Sequence, residues 1–152
     1  MKRSIKIKRK IVVDLDVVTV GKWDKGENGD KARKFISIVN KHEFYLVTPT
    51  LLLELLRRWK HDSLKIQIKE FYLKNSDEQI ERIQIIEQIV SKGIDFEKLF
   101  SKFVNIGVKE EDITLILTSS LREAILVTFN RIHLKNKEGK INEVLSEYDL
   151  KT

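Results

Sequence analysis

The stretch IVVDLDVVTV, residues 11–20, indicates a buried strand and places two acids within the same apolar run. Seven of its ten residues are apolar and mostly β-branched, as in a buried strand. Asp14 and Asp16 interrupt this run, and a carboxylate there is costly to bury unless it is paired, protonated or bound to a metal. We expect a strand from about Ile5 to Asp14. Asp16 lies on the same face as Asp14 if the strand continues, or in the first turn of a helix that starts after Asp14.

Composition indicates one domain that spans residues 1–152. Hydrophobic residues make up 41% of the chain and charged residues 34%, with a single proline and no repeat or low-complexity tract. The absence of cysteine excludes disulfides and thiolate metal sites. No apolar run reaches membrane length, and the basic N-terminus MKRSIKIKRK lacks the apolar core of a signal peptide. These features predict a cytoplasmic protein without a membrane partner.

The charge balance favours a polyanionic partner. The net charge is +6 and the isoelectric point is about 9.4, and such a basic excess favours polyanions because it neutralises their phosphates. A lysine-rich solvated surface explains the same excess equally well. Charge alone therefore leaves both interpretations open.

Hydrophobic periodicity predicts an alternation of strands and helices. After the first strand we expect a loop at 21–30, strands at 43–49 and 124–130, helices at 30–42, 48–61, 62–75, 76–93, 95–105 and 109–124, and a short strand or helix in the tail. The expected helix N-terminal caps are Thr48 with Pro49 in the first turn, Asp62 or Ser63, and a Ser-x-x-Gln capping box at Ser76. This order predicts an α/β sandwich with a parallel sheet and helices on both of its faces.

Four oxygen-bearing side chains are expected at the carboxyl edge of that sheet, where α/β proteins bind ligands. Asp14 ends the first strand and Asn130 ends the last one. Glu54 is early in the helix after the second strand, and Asp112 is in the first turn of the helix before the last strand. Clustered carboxylates repel one another, so such a group usually needs a hard cation such as magnesium or manganese.

Each of these residues also has a purely structural interpretation. Asp14 could cap the turn after its strand, Asp112 could complement a helix dipole, and Asn130 could be a turn residue. Glu54 could pair with Arg57 and Arg58 at helical spacing. Each signal is weak alone, and their expected meeting at one edge is what favours a site.

The motifs resemble those of the PIN domain family, in the same order and over residues 10 to 135. An apolar strand runs into an acid in VVDLDVV, and a strand and helix carry a glutamate in VTPTLLLELL. An aspartate opens a helix in KEEDITLILTSSL, and that helix leads to the strand in AILVTFNRIHL. This resemblance implies a three-layer α/β/α sandwich with a central parallel sheet.

The resemblance also implies a function. Members of the family are mostly ribonucleases that use magnesium or manganese, and many small ones are VapC-type toxins that pair with an antitoxin and form homodimers. The implied metal-binding and catalytic positions are Asp14, Glu54 and Asp112, with Asn130 where many members carry a fourth acid. Thr128 matches a threonine of the last motif and is a candidate substrate contact. Asp16 stands where asparagine, serine or threonine is usual and is a further candidate ligand.

The sequence thus predicts a metal-dependent endoribonuclease that hydrolyses RNA phosphodiester bonds. Candidate phosphate contacts are the basic residues near the motifs, namely Arg57, Arg58, Arg122, Arg131 and Lys135. The rival interpretation is a PIN-like module that binds RNA or a protein with little or no cleavage. Asn130, which lacks the charge of a fourth acid, is its main support.

Overall fold

The fold is built on a four-stranded, all-parallel sheet. A computed structural model describes residues 7–130 and 134–152 of the chain. Across the sheet the strands lie in the order β3, β2, β1, β4. Their bounds are Arg9–Val13 for β1, Phe44–Pro49 for β2, Ser76–Ile80 for β3 and Ile125–Val127 for β4.

Helices cover both faces of this sheet, which makes the predicted three-layer α/β/α sandwich. The helices in the described ranges are α1 (Leu15–Trp23), α2 (Glu27–Asn40), α3 (Thr50–Arg57), α4 (Asp62–Asn75), α5 (Arg82–Ser91), α6 (Phe96–Asn105), α7 (Glu110–Leu121) and α8 (Glu138–Glu147). In one group α1 packs against α2 and α4, and α4 against α3. In the other group α6 packs against α5, α7 and α8. None of the helices in the described ranges is long and apolar enough to cross a membrane.

Strand β1 lies inside the sheet, which explains its run of apolar residues. Ile11, Val12 and Val13 are at most 2% exposed, as expected for a parallel strand covered on both faces. The strand ends at Val13, and α1 begins at Leu15 with extended backbone at Asp14 between them. The structure therefore decides the open question about Asp16, which lies in the first turn of a helix.

Helices α1 and α2 approach closely because Gly21 has no side chain. A Cβ atom at this position would lie 2.7 Å from the Ile36 side chain and 3.5 Å from Cβ of Ala32. The predicted loop at 21–30 was accordingly wrong in part: Gly21 is helical, and α2 begins at Glu27. Glycines indicated a loop in the sequence, yet Gly21 serves a helix contact.

Helix α7 is buried over nine consecutive residues, from Asp112 to Ser120. It packs against β1, β2 and β4 and therefore runs along the centre of the sheet. Its hydroxyls are tolerated there because they bond within the helix: Thr118 donates to the Thr114 carbonyl at 2.7 Å, and Ser119 to Leu115 at 2.8 Å.

The predicted start of a helix at Ser76 was wrong, since residues 76–80 form β3. This segment pairs with β2, and the Asp77 carboxylate accepts the Leu46 amide at 2.9 Å. The helix begins only at Arg82, where the Gln84 side chain accepts the Glu81 amide at 2.8 Å. Pairing with a distant strand, which local pattern cannot encode, overrode the capping signal.

Two other predicted caps were also displaced. Thr48 lies in β2, where its hydroxyl bonds with that of Ser76 at 2.6 Å, and Pro49 takes the N-cap position of α3. Helix α4 is capped by His61, whose Nδ1 accepts the Leu64 amide at 3.3 Å, instead of by Asp62 or Ser63.

The predicted boundaries near the C-terminus need one correction. The strand expected at 124–130 covers only Ile125–Val127, and the polar residues that follow it leave the sheet. The tail forms a helix, α8, which was one of the two open alternatives. The predicted helix at 95–105 is confirmed, with Asp95 as its cap.

Replacement of Tyr72 by Phe tests how the carboxyl end of β1 is held. Tyr72 is fully buried, and its hydroxyl donates to the carbonyl oxygen of Val13 at 2.8 Å. We expect Tyr72→Phe to lower the free energy of unfolding by about 1–2 kcal/mol, because a buried acceptor loses its donor. Urea denaturation measures this, with Tyr45→Phe as the control because its partly buried bond to Glu78 is long, at 3.3 Å. Equal losses in both variants would contradict a special role for Tyr72.

Candidate functional site

Asp14 lies where β1 ends, beside the end of its neighbouring strand β4. Its backbone amide donates to the Val127 carbonyl at 3.0 Å, which continues the parallel ladder by one residue. Its side chain makes no bond to its own helix, although it occupies the N-cap position of α1. Instead, the Asp14 carboxylate accepts the hydroxyl of Thr128 at 2.9 Å.

Asp16 turns toward the same segment from the first turn of α1. Both of its carboxylate oxygens accept the Phe129 backbone amide, at 3.2 and 3.1 Å. One of them also lies 3.3 Å from the Thr128 hydroxyl. A hydroxyl carries one proton, so Thr128 donates to only one of the two carboxylates at a time.

Asn130 links this pair of acids to a third, Asp112. The backbone amide of Asn130 donates to Oγ1 of Thr128 at 3.0 Å, and its side-chain Nδ2 donates to Oδ2 of Asp112 at 3.3 Å. Asp112 is 7% exposed at the start of α7. The segment 128–130 therefore brings together three aspartates, two from helix starts and one from a strand end. We call Asp14, Asp16, Asp112 and residues 128–130 the carboxylate site.

Burial and the negative charges of Asp16 and Asp112 together raise the pKa of Asp14 to about 7, although the hydrogen bond from Thr128 opposes the change. Burial also raises the pKa of Asp16, although the Phe129 amide and the charge of Lys135 oppose the change. The pKa of Tyr72 lies well above its usual range because of burial and of the charges of Asp14 and Asp16. The site thus concentrates negative charge that its protein surroundings do not neutralise fully.

Glu54 does not join the carboxylate site in this structure. It lies on α3, which leaves the same edge of the sheet, but its side chain is exposed and bonds to no described residue. In residues 7–130 and 134–152 no three acidic or histidine side chains lie close enough together to hold a metal ion. The predicted set of four is therefore brought together in part, as Asp14, Asp112 and Asn130, with Asp16 added.

The predicted phosphate contacts are dispersed. Arg57 and Arg58 are exposed at the end of α3. Arg122 follows the far end of α7 from Asp112, where its guanidinium bonds to Glu78 at 2.6 Å and to Gln88 at 2.7 Å. Lys135 lies near the carboxylate site, with its ammonium 5.9 Å from the centre of the Phe129 ring. Arg131 lies outside the described residues.

The oxygen atoms of the site are of the chemical type that binds a hard divalent cation. Carboxylate, hydroxyl and amide oxygens are the ligands that magnesium and manganese prefer. The raised pKa of Asp14 is the observation that supports this fit, because a bound cation would stabilise the ionised form of this half-buried carboxyl and offset the charges of Asp16 and Asp112. The number of acids at the site fits a cation less well than their chemical type does, since the exposed Glu54 does not join the aspartates.

Sequence reasoning missed two groups that hold the site in place, the Phe129 amide at Asp16 and the Tyr72 hydroxyl at the Val13 carbonyl. The Phe129 amide has no sequence signal, because any residue at this position supplies a backbone N–H. Tyr72 has a weak one, as a residue with a polar hydroxyl within the buried stripe of α4. Thr128 was expected as a substrate contact, and the structure places its hydroxyl between Asp14 and Asp16.

Comparison with known proteins leaves the family of this chain open. No protein-family model matches it, and searches of curated proteins and of solved structures found no match.

The raised pKa of Asp14 predicts how stability depends on pH. The folded state holds the Asp14 proton up to a pH of about 7, whereas an unfolded aspartate loses it near 3.8. The free energy of unfolding should therefore fall as pH rises from about 4 to 7. Asp14→Asn removes this loss, and we expect the variant to be more stable than the wild type at pH 8 by about 2–3 kcal/mol.

Urea denaturation between pH 4.5 and 8.5 in EDTA measures this difference. Asp149→Asn is the matched control, because Asp149 is exposed at the end of α8 and asparagine tolerates its positive φ of 55°. If Asp14→Asn and the control showed the same pH dependence as the wild type, the carboxyl of Asp14 would titrate normally.

Proposed function

We propose that the protein is a divalent-metal-dependent ribonuclease of the PIN type that hydrolyses phosphodiester bonds in RNA. The observation that carries the proposal is the carboxylate site itself: Asp14, Asp16 and Asp112 meet around Thr128 and Asn130 at the carboxyl edge of a parallel sheet. The high pKa of Asp14 supports it, because an acid cluster without a counter-charge destabilises a fold unless it has a ligand.

In this proposal Asp14 and Asp112 are the principal ligands of a magnesium or manganese ion, with Asp16 and the amide oxygen of Asn130 as further ligands. When bound, such an ion lowers the pKa of a water and stabilises the departing oxygen. Glu54 completes the acid set only if its exposed side chain turns inward from α3. The Thr128 hydroxyl fixes the position of Asp14, and the Phe129 amide fixes that of Asp16.

The partners follow from the same proposal. RNA is the substrate, and the net charge of +6 favours its approach. Lys135 lies close enough to lower the pKa of Asp16 and is therefore our candidate for the phosphate next to the cleaved bond. A cytoplasmic homodimer regulated by an antitoxin protein is the biological setting that the resemblance to VapC-type toxins suggests.

A second function, RNA binding without cleavage, is favoured by one observation. Asn130 brings an amide instead of a charge, and it donates a hydrogen bond to Asp112 where a metal ligand would offer an oxygen. A site with fewer charges holds a cation more weakly. The experiment below separates the two functions.

Turnover of labelled single-stranded RNA, with manganese or with EDTA, tests the proposed activity. We expect cleavage only with the metal, and a loss of about 10²-fold or more in Asp14→Asn and Asp112→Asn, because each removes a charged ligand of the ion that stabilises the departing oxygen. Asp149→Asn should retain full activity as the matched control. RNA that binds the wild type and remains uncut with manganese would favour the binding module.

Metal binding itself is tested by the change in melting temperature that manganese causes at pH 8. We expect a rise in the wild type, because a cation that binds only the folded state stabilises it. Asn130→Asp should enlarge the rise, since it adds a charge beside Asp112, whereas Asp16→Asn should reduce it modestly and Asp14→Asn should abolish it.

Asp149→Asn again serves as the control and should respond to manganese as the wild type does. If Asp16→Asn were as damaging as Asp14→Asn, Asp14 would not be the principal ligand. An unchanged melting temperature in all variants would remove the metal from the proposal.

A further inference from the structure

A cavity of about 730 Å³ lies between β4, the second half of α7 and α8. Apolar side chains form much of its wall, among them Ile116, Ile125, Leu126, Ile141 and Leu145. Thr128 and Lys135 line it as well, so the cavity adjoins the carboxylate site through the threonine that bonds to Asp14. Its volume is in the range of small-ligand sites, which is about 300–1,000 Å³.

The free edge of β4 faces this cavity. Within the described residues β4 pairs only with β1, and the Val127 carbonyl accepts the Asp14 amide. In a parallel ladder the polar backbone groups of successive residues point to opposite sides of the strand. The N–H and C=O groups of Leu126 therefore point away from β1, and Leu126 is itself part of the cavity wall. An adjacent donor and acceptor of this kind match the hydrogen-bonding edge of a nucleobase.

A buried hydroxyl without a partner marks the same cavity. Ser120 lines it and is 6% exposed, and its Oγ makes no hydrogen bond in the part of the chain that the structure describes. The neighbouring Ser119 shows the contrast, since its hydroxyl donates to the Leu115 carbonyl. Because an unpartnered buried hydroxyl costs free energy, a polar ligand that reaches it would be favoured.

Three cations, Arg9, Lys135 and Lys151, and two acids, Glu123 and Glu138, line the cavity, and the cations at its two ends suit a phosphodiester backbone. Lys135 lies at the end near the carboxylate site, whereas Arg9 lies at the opposite end, at the start of β1. Arg9 is exposed and pairs with no acid in the described ranges. Lys151 also lines the cavity, and its ammonium is 3.9 Å from Glu123. A strand that follows the cavity would thus meet a cation at each end.

We propose that this cavity is a subsite for one nucleotide of single-stranded RNA, adjacent to the bond that is cut at the carboxylate site. The base packs against the apolar wall and bonds to the backbone of Leu126, the phosphate next to the cut bond lies at Lys135, and the strand continues along the cavity toward a later phosphate at Arg9. This inference rests on the proposed function. An extended peptide could also pair with an open strand edge. The cations at both ends and the position beside the carboxylate site favour RNA.

The first test is a titration of the ¹⁵N-labelled protein with a single-stranded RNA hexamer in EDTA, which prevents cleavage. We expect the amide resonance of Leu126 to shift, together with those of Ser119 and Ser120. A parallel titration with an extended valine-threonine peptide, the probe for strand addition, should leave these resonances in place. Shifts with the peptide alone, or RNA shifts confined to other elements, would overturn the proposal.

The second test fills the cavity and measures RNA affinity by fluorescence anisotropy in EDTA. Asn142 lines the cavity from α8, whereas the next residue, Glu143, is exposed and does not. We expect Asn142→Trp to weaken binding about tenfold, by loss of one bound base, and Glu143→Trp to leave it unchanged. Arg9→Gln should weaken binding and lower the salt dependence by about one phosphate contact, unlike Lys140→Gln on the exposed face of α8.

These outcomes are distinct from those of the cleavage assay. RNA that binds through the cavity but stays uncut with manganese supports the subsite and contradicts the nuclease. Cleavage that needs Asp14 while Asn142→Trp and Arg9→Gln bind RNA normally supports the nuclease and overturns the subsite. If Asn142→Trp fails to fold, the Leu126 resonance in the wild-type protein decides the matter.

Discussion

The hydrogen bond from the Thr128 hydroxyl to the Asp14 carboxylate is the interaction on which the candidate site depends. Asp14 directly follows β1, one of the two inner strands of the sheet, so its carboxylate is half-buried and loses part of its contact with water. Thr128 directly follows β4, the neighbouring strand. The bond therefore joins two strand ends that are 114 residues apart in sequence. It stabilises the ionised carboxylate only in part, since the pKa of Asp14 stays raised.

The rest of the site follows from how the chain leaves β1 and β4. Because α1 begins immediately after Asp14, Asp16 is turned toward the same threonine, and the Phe129 amide holds it there. Because Asn130 comes two residues after Thr128, its side chain reaches Asp112 at the start of α7. Each acid has a hydrogen-bond donor of its own or shares one, yet burial keeps the pKa values of Asp14 and Asp16 raised, and the charges of Asp16 and Asp112 add to the effect at Asp14.

The same geometry relates the carboxylate site to the cavity beside β4. In this chain β4 is a short strand at the edge of the described sheet, and α8 lies opposite it across the cavity. An edge strand exposes backbone donors and acceptors that need a partner, and here they face a cavity instead of a further strand. Thr128 belongs to both places, since its hydroxyl faces the acids and its residue lines the cavity. A single extended substrate could therefore contact both.

The sequence by itself determined the fold class, the inner strand and the identity of most acids at the carboxyl edge. The reason is that burial of a parallel strand on both faces requires an unbroken apolar run, which 11–13 displays directly. It did not determine β3, because residues 76–80 read as a helix start and become a strand only by pairing with β2. It also left Glu54 among the acids, although the side chain of Glu54 is exposed and does not join them in the structure. Only the tertiary structure decided which side chains meet, because that depends on the backbone path of 128–130 and on contacts between residues more than a hundred positions apart.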